Sequence, residues 1–164
     1  MSSRLCVLLF AVFLFGSVAS SQTKMTQQQM DEMNKRGDKH MGFDHTKTTH
    51  HFLLAKNGGT IRVEAIDAKD SESRDQIRKH LHHISMMFAD GNFNTPMLIH
   101  EKTPPGSDVM SKLKAEIRYE FKETDNGAEI VISSENAEAV VAIRDFLKFQ
   151  IKEHMTNDPL EVSN

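Results

Sequence analysis

The chain has 164 residues, with 20 basic, 23 acidic and 9 histidine side chains and a formal net charge of -3. This length fits one ordinary domain, and 38% hydrophobic with 26% charged residues is a globular composition. A slightly acidic chain without a long basic run is unsuited to binding nucleic acid through phosphate neutralisation. The single cysteine, Cys6, excludes a disulfide framework, a cysteine-rich zinc site and an iron–sulfur cluster.

Residues 1–20 have the layout of a secretory signal peptide. Arg4 provides the positive charge, residues 5–15 are continuously apolar, and small residues lead to a predicted cleavage after Ala19 or Ser20. The apolar run of about 11 residues is short of the roughly 20 that a membrane-spanning helix needs. We therefore expect an exported protein, periplasmic or extracellular, that has no membrane anchor after cleavage and contains no cysteine.

Residues 21–47 are polar and lack a sustained apolar period. Their composition predicts a flexible polar leader, because few apolar groups offset the entropy lost on ordering. The alternative is a short helix with Met25, Met30 and Met33 along one side.

A β-hairpin followed by a helix is predicted next. Residues 48–55 and 60–67 have strand character and flank the turn signal of residues 56–59. A helix is expected from Ser71 or Ser73 to about Ala89, before Asp90-Gly91. Apolar residues at steps of four, three and four form its buried stripe: Ile77, Leu81, Ile84 and Phe88.

The second half of the chain repeats this plan, with strands near residues 113–122 and 128–133 and a helix from Ala137 to about His154. Residues 77–83 align with residues 143–149, and His80 and His83 fall opposite phenylalanines. We predict two ββα repeats that form an antiparallel sheet of about four strands with both helices on one face, an α+β fold. The single domain is expected to span residues 48–158, with a tail at 159–164, and residues 96–100 are predicted to be extended.

The first long helix carries the leading candidates for a metal site. His80, His83 and Met87 lie along one flank of the buried stripe, since a helix advances about 100° per residue. Two imidazoles three residues apart can meet one ion, and His100 and Met97 follow in the linking segment. His50 or His51 is a further candidate ligand from the first predicted strand. Imidazole with thioether suits copper, the thioether favouring Cu(I). The alternative is ordinary packing, in which these side chains fill gaps at the edge of the core.

A second histidine group lies near the start of the domain. His40, His45 and either His50 or His51 are candidates for a loose divalent-ion chelate. His50 and His51 are adjacent in a strand, so their side chains face opposite sides of the sheet. His154 is interpreted as a cationic group near a helix C-terminus, where the helix dipole favours positive charge.

Four segments resemble a small family of exported bacterial proteins: residues 41–52 (MGFDHTKTTHHF), 73–78 (SRDQIR), 80–84 (HLHHI) and 145–151 (DFLKFQI). The resemblance covers most of residues 41–160 and implies export and the extent of the domain. Some members carry an automatic label as aspartate carbamoyltransferase. That activity is not expected here, because the Ser-Thr-Arg-Thr loop of that enzyme's carbamoyl-phosphate site is absent from the sequence.

These observations favour an exported metal-binding protein with a binding or buffering role. Copper is the favoured ion and zinc is possible. No nucleic acid or membrane partner is expected, and no catalytic residue is assigned, because the common nucleophile and phosphate-loop motifs are absent. Two alternatives stay open. One is a non-metal interaction module that pairs through its sheet edges, as a homo-oligomer would, and the other is an enzyme with a histidine general base.

Overall fold

The computed structural model describes residues 26–162, so the predicted signal peptide (1–20), Met25 and the last two residues of the tail lie outside the described residues. Four antiparallel strands form one sheet in the order β1-β2-β4-β3. Their bounds are Thr48–Ala55 (β1), Gly58–Ala65 (β2), Ile117–Glu123 (β3) and Gly127–Ser134 (β4). The predicted α+β class with a four-stranded antiparallel sheet is confirmed.

Five α-helices within residues 26–162 complete the fold. They are α1 (Gln27–Met41), α2 (Ser71–Ala89), α3 (Asn94–His100), α4 (Ser107–Lys112) and α5 (Ala137–His154). The two long helices, α2 and α5, pack on the apolar face of the sheet, each beginning at a side-chain cap from Asp70 and Asn136 respectively. None of the helices within residues 26–162 combines the length and hydropathy that crossing a membrane requires.

The two ββα units are related by an approximate twofold axis. An offset of 69 residues aligns β2 with β4, Gly58 with Gly127, and both strands show the same alternation of buried and half-buried residues. In the β2–β4 pairing Ile61 lies opposite Ile130, and these two residues occupy the same position in their respective units. The twofold axis therefore passes between them. The long helices exchange partners across this axis: α2 packs mainly on β3 and β4, and α5 packs mainly on β1 and β2.

Equivalent arginines on the two long helices hold the hairpin turns of the opposite units. Arg78 donates from Nε to the Gly127 carbonyl oxygen at 3.1 Å and from Nη2 to that of Thr124 at 2.6 Å. Arg144 donates from Nε and Nη2 to the Ala55 carbonyl oxygen at 3.2 and 3.1 Å. The arginine match at an offset of 66 in the sequence therefore corresponds to the same contact in both units.

The structure differs from two of the local predictions. Residues 27–41 form α1 in place of a flexible leader, because Thr26 and Gln29 make a reciprocal capping box and Met33 is buried. Residues 96–100 belong to α3 and are not extended. Pro96 lies in the first turn of this helix, where its missing N–H would have no helical partner.

Substituting Arg144 by Met should lower the free energy of unfolding by about 2 kcal/mol, because charge-assisted hydrogen bonds to the turn carbonyls are lost. Urea denaturation monitored by circular dichroism measures this change. Arg118→Met, at an exposed position of β3, is the matched control and should change stability by less than about 0.5 kcal/mol. Equal losses in the two variants would contradict the assigned role of Arg144.

Candidate functional site

Four histidines from four different elements line one small cavity above the inner face of the sheet. His50 comes from β1, His80 from α2, His100 from α3 and His154 from α5, and the cavity has a volume of about 70 Å³. This space can hold several water molecules or one small ligand. The rest of the lining is almost entirely apolar, and both isoleucines at the twofold axis contribute to it.

The imidazole rings of this cluster are in contact with each other and with phenylalanine. The His154 ring lies between those of His50 and His100, with centroid separations of 5.2 and 5.0 Å. Phe43 bridges the other side, 6.0 Å from His50 and 5.6 Å from His80, which meets it edge-on. One row of aromatic rings therefore connects all four histidines.

Two ring nitrogens of the cluster are buried without a hydrogen-bond partner. His100 Nε2 donates to Gln150 Oε1 at 3.1 Å, and its Nδ1 lies 3.8 Å from a Glu153 carboxylate oxygen. This Nδ1 has no hydrogen-bond partner, and neither has Nε2 of His50. Buried polar atoms are nearly always paired in native proteins, so each unpaired nitrogen indicates a missing ligand or water.

Burial keeps these imidazoles neutral. Desolvation lowers the pKa of His50 and of His80 from 6.5 to about 4, with neighbouring histidines adding to both shifts. Desolvation also lowers the pKa of His154 well below its ordinary value, with His50 and His100 contributing. The pKa of His100 is lowered by desolvation as well, although Glu153 opposes that shift. At neutral pH the imidazole rings of the cluster are therefore uncharged, and each has one unprotonated ring nitrogen.

The structure brings together only part of the predicted set. His50, His80 and His100 share the cavity, whereas His83 and Met97 are exposed outside it. The flank of α2 that carries His80 turns toward solvent by His83, one turn further along the helix.

The remaining predicted ligands have ordinary contacts elsewhere. Met87 is half-buried, with its sulfur 3.8 Å from the Thr95 hydroxyl oxygen. His51 Nδ1 is 2.9 Å from an Asp158 carboxylate oxygen, on the opposite side of β1 from His50. His40 is exposed near the end of α1.

His154 is the member of the cluster that the sequence interpretation missed. It is placed at the C-terminal end of α5 as predicted, but its ring is held neutral among other rings, so the interpretation as a cation on the helix dipole is wrong. A signal for this placement exists in the sequence. Leu147, Ile151 and His154 follow one another at steps of four and three, which continues the buried stripe of the helix.

One group of three carboxylate and imidazole ligands converges elsewhere. Among residues 26–162, ligand atoms of Asp38, Asp44 and His45 all lie within 4.8 Å of one another. Local structure accounts for each of them: Asp44 caps the short 3-10 turn, and Asp38 accepts from the His45 backbone N–H at 2.9 Å and lies 2.8 Å from its Nδ1. The predicted chelate of His40 with His45 and a strand histidine is not assembled.

Comparison of the chain with family models, curated proteins and solved structures finds no match.

The neutral histidines make stability depend on pH. Since the pKa of His50 and of His80 in the folded protein is about 4 against 6.5, the unfolded chain takes up protons first as pH falls. Stability should therefore be full above pH 6.5 and decline between 6.5 and 4, with each residue accounting for on the order of 3 kcal/mol at pH 4. Urea denaturation across this range measures the decline.

His50→Leu should remove one titrating group and flatten that decline. Phe43→Leu touches the same rings without adding or removing a proton site, so it should lower stability by the same amount at every pH. A decline in the His50 variant as steep as in the unsubstituted protein would show that this histidine does not titrate with folding.

Proposed function

We propose that this protein is exported and binds a transition-metal ion, with a preference for copper, through the buried histidine cluster. Export follows from the predicted signal peptide at residues 1–20. His50, His100 and His154 are the proposed ligands, with His80 as a fourth donor at the same cavity. The supporting observation is that His50 and His100 line a common cavity and each has a buried ring nitrogen without a hydrogen-bond partner, Nε2 of His50 and Nδ1 of His100.

Ring spacing supports a shared ion. With metal–nitrogen bonds of about 2.0–2.1 Å, two imidazoles at a tetrahedral angle on one ion have centroids roughly 5 Å apart. His154 stands 5.2 Å from His50 and 5.0 Å from His100. The nitrogens of the three rings do not form a group within 4.8 Å, so the side chains are expected to turn when an ion binds.

The donor set favours copper among the possible ions. Imidazole binds copper, zinc, iron and nickel, and an apolar shell with a thioether nearby shifts the preference toward copper, especially Cu(I). Met41 lines the same cavity and supplies that thioether. A chain without cysteine after cleavage holds copper in an oxidising compartment through groups that do not form disulfides.

Catalysis by a histidine general base has less support. An imidazole with a pKa near 4 is a weak base at neutral pH, and His50 and His80 are both lowered to that value. Among the residues described as lining the cavity, Thr95 is the one with a hydroxyl group, and it sits against the Met87 sulfur. The cavity is therefore better suited to holding an ion than to moving a proton.

Titration of the purified protein with Cu(I), Cu(II) and Zn(II) by calorimetry tests this function. His154→Leu should weaken binding at least about tenfold, because it removes the ring between the other two ligands. His83→Leu, an exposed position on α2, is the matched control and should leave affinity unchanged. Binding weaker than about 10 μM for all three ions, or equal affinity in both variants, would refute the proposal.

Gln150 is expected to position His100 for the ion. Gln150→Leu removes the acceptor that fixes the ring tautomer and should lower metal affinity by about 10- to 100-fold. Phe149→Leu is the control, since Phe149 packs edge-on against the same ring at 5.3 Å without a hydrogen bond. If both variants lower affinity equally, packing and not the hydrogen bond positions His100.

A further inference from the structure

A second, larger concavity lies outside the histidine cavity and is lined by four methionines. This methionine groove has a volume of about 360 Å³ and runs between α1, the start of β1 and the end of α5. Met30, Met33 and Met41 reach it from α1, and Met155 reaches it from the residue that ends α5. Thioethers therefore face the groove from two sides.

The sequence of α1 aligns its methionines on one face. Met30, Met33, Gly37 and Met41 are spaced by three, four and four residues, so they share one stripe, and all four line the groove. Glycine inside a helix costs about 1 kcal/mol relative to alanine. At Gly37 a Cβ atom would lie 3.0 Å from the Met41 terminal methyl group, so the missing side chain leaves room for that thioether to fold along the helix.

The groove adjoins the histidine cavity. Met41, His50, Ile99 and His154 line both spaces, so the two share a common wall at the side where the proposed ligands lie. His50 is the key residue at this boundary, because its Nε2 is buried and unpaired. An ion held by the methionines would meet proposed histidine ligands next along the wall.

From these contacts we infer that the methionine groove is a separate site for a soft monovalent ion, Cu(I), and the route by which that ion enters the histidine cavity. Thioether sulfur binds Cu(I) strongly and Zn(II) poorly, so the groove selects the ion before the harder imidazoles receive it. This inference deepens the proposed function and rests on it for the destination of the ion. The inference that the groove binds Cu(I) depends on the methionines alone.

Silver(I) is the probe, because it shares the preference of Cu(I) for thioethers and does not change oxidation state under the assay conditions. In protein labelled with ¹³C at the methionine methyl groups, added silver should shift the signals of Met30, Met33, Met41 and Met155. Exposed Met86 and Met97 lie outside the groove and are internal controls. Equal shifts at the controls, or no shift at the groove methionines, would overturn the inference.

The same titration in His154→Leu separates this site from the histidine cavity. Groove shifts that persist there while zinc binding is lost support both sites. Groove shifts without any zinc or copper binding at the histidines support the groove and refute the proposed function. Histidine-dependent binding without groove shifts refutes only the groove.

Combined replacement of Met30, Met33 and Met155 by Leu tests the route. Leucine keeps the apolar volume, so the fold should be retained, as circular dichroism will verify. Silver affinity and the rate of Cu(I) loading should each fall at least about tenfold, with zinc affinity unchanged. The double variant Met86→Leu/Met97→Leu should match the unsubstituted protein. Unchanged silver affinity in the triple variant would overturn the site, and an unchanged loading rate would overturn the route.

Discussion

The antiparallel pairing of β2 with β4 is the contact on which the rest of the molecule depends. It joins the two ββα units into one sheet and sets the axis about which α2 and α5 exchange partners. Equivalent glycines allow the strands to approach at both ends of this pairing. A Cβ atom at Gly58 would lie 2.0 Å from the Ile132 carbonyl oxygen, and one at Gly127 would lie 2.1 Å from that of Val63. The same backbone contact therefore occurs twice, once in each unit.

The two units differ in sequence at the histidine cavity. His80 and Phe146 occupy equivalent positions in the repeat, and both line the cavity near the axis. A phenylalanine at each position would bury more apolar surface and leave no polar atom to satisfy. An unpaired buried polar group costs about 1–3 kcal/mol, and His50 and His100 each carry one. The unpaired nitrogens thus lower stability where the ion is proposed to bind.

Elements with a long, regular pattern could be predicted from the sequence. Both hairpins and both long helices follow from alternation, turn residues and apolar stripes, and the repeat predicted the four-stranded sheet. Helices α1 and α3 were harder to predict from the sequence. The seven residues of α3 are as compatible with a strand as with a helix by composition, and Arg36 fixes the position of α1 by donating to the Ile99 carbonyl oxygen at 2.9 Å. The hydrogen bond from Arg36 to Ile99 joins residues 63 positions apart, so no local pattern in the sequence predicts it.

Three of the four histidines in the cluster could be predicted as ligands from the sequence. His80 was predicted from its place beside the apolar stripe of α2, and His100 from the segment that follows. His154 continues the apolar stripe of α5, but the sequence does not show that this helix places its ring between His50 and His100. The cluster also cannot be assembled from charged side chains. Protonated imidazoles with centroids about 5 Å apart inside an apolar cavity would repel one another and lose their hydration. Folding around neutral rings therefore leaves nitrogen lone pairs free of protons, which is the state in which imidazole binds a metal ion.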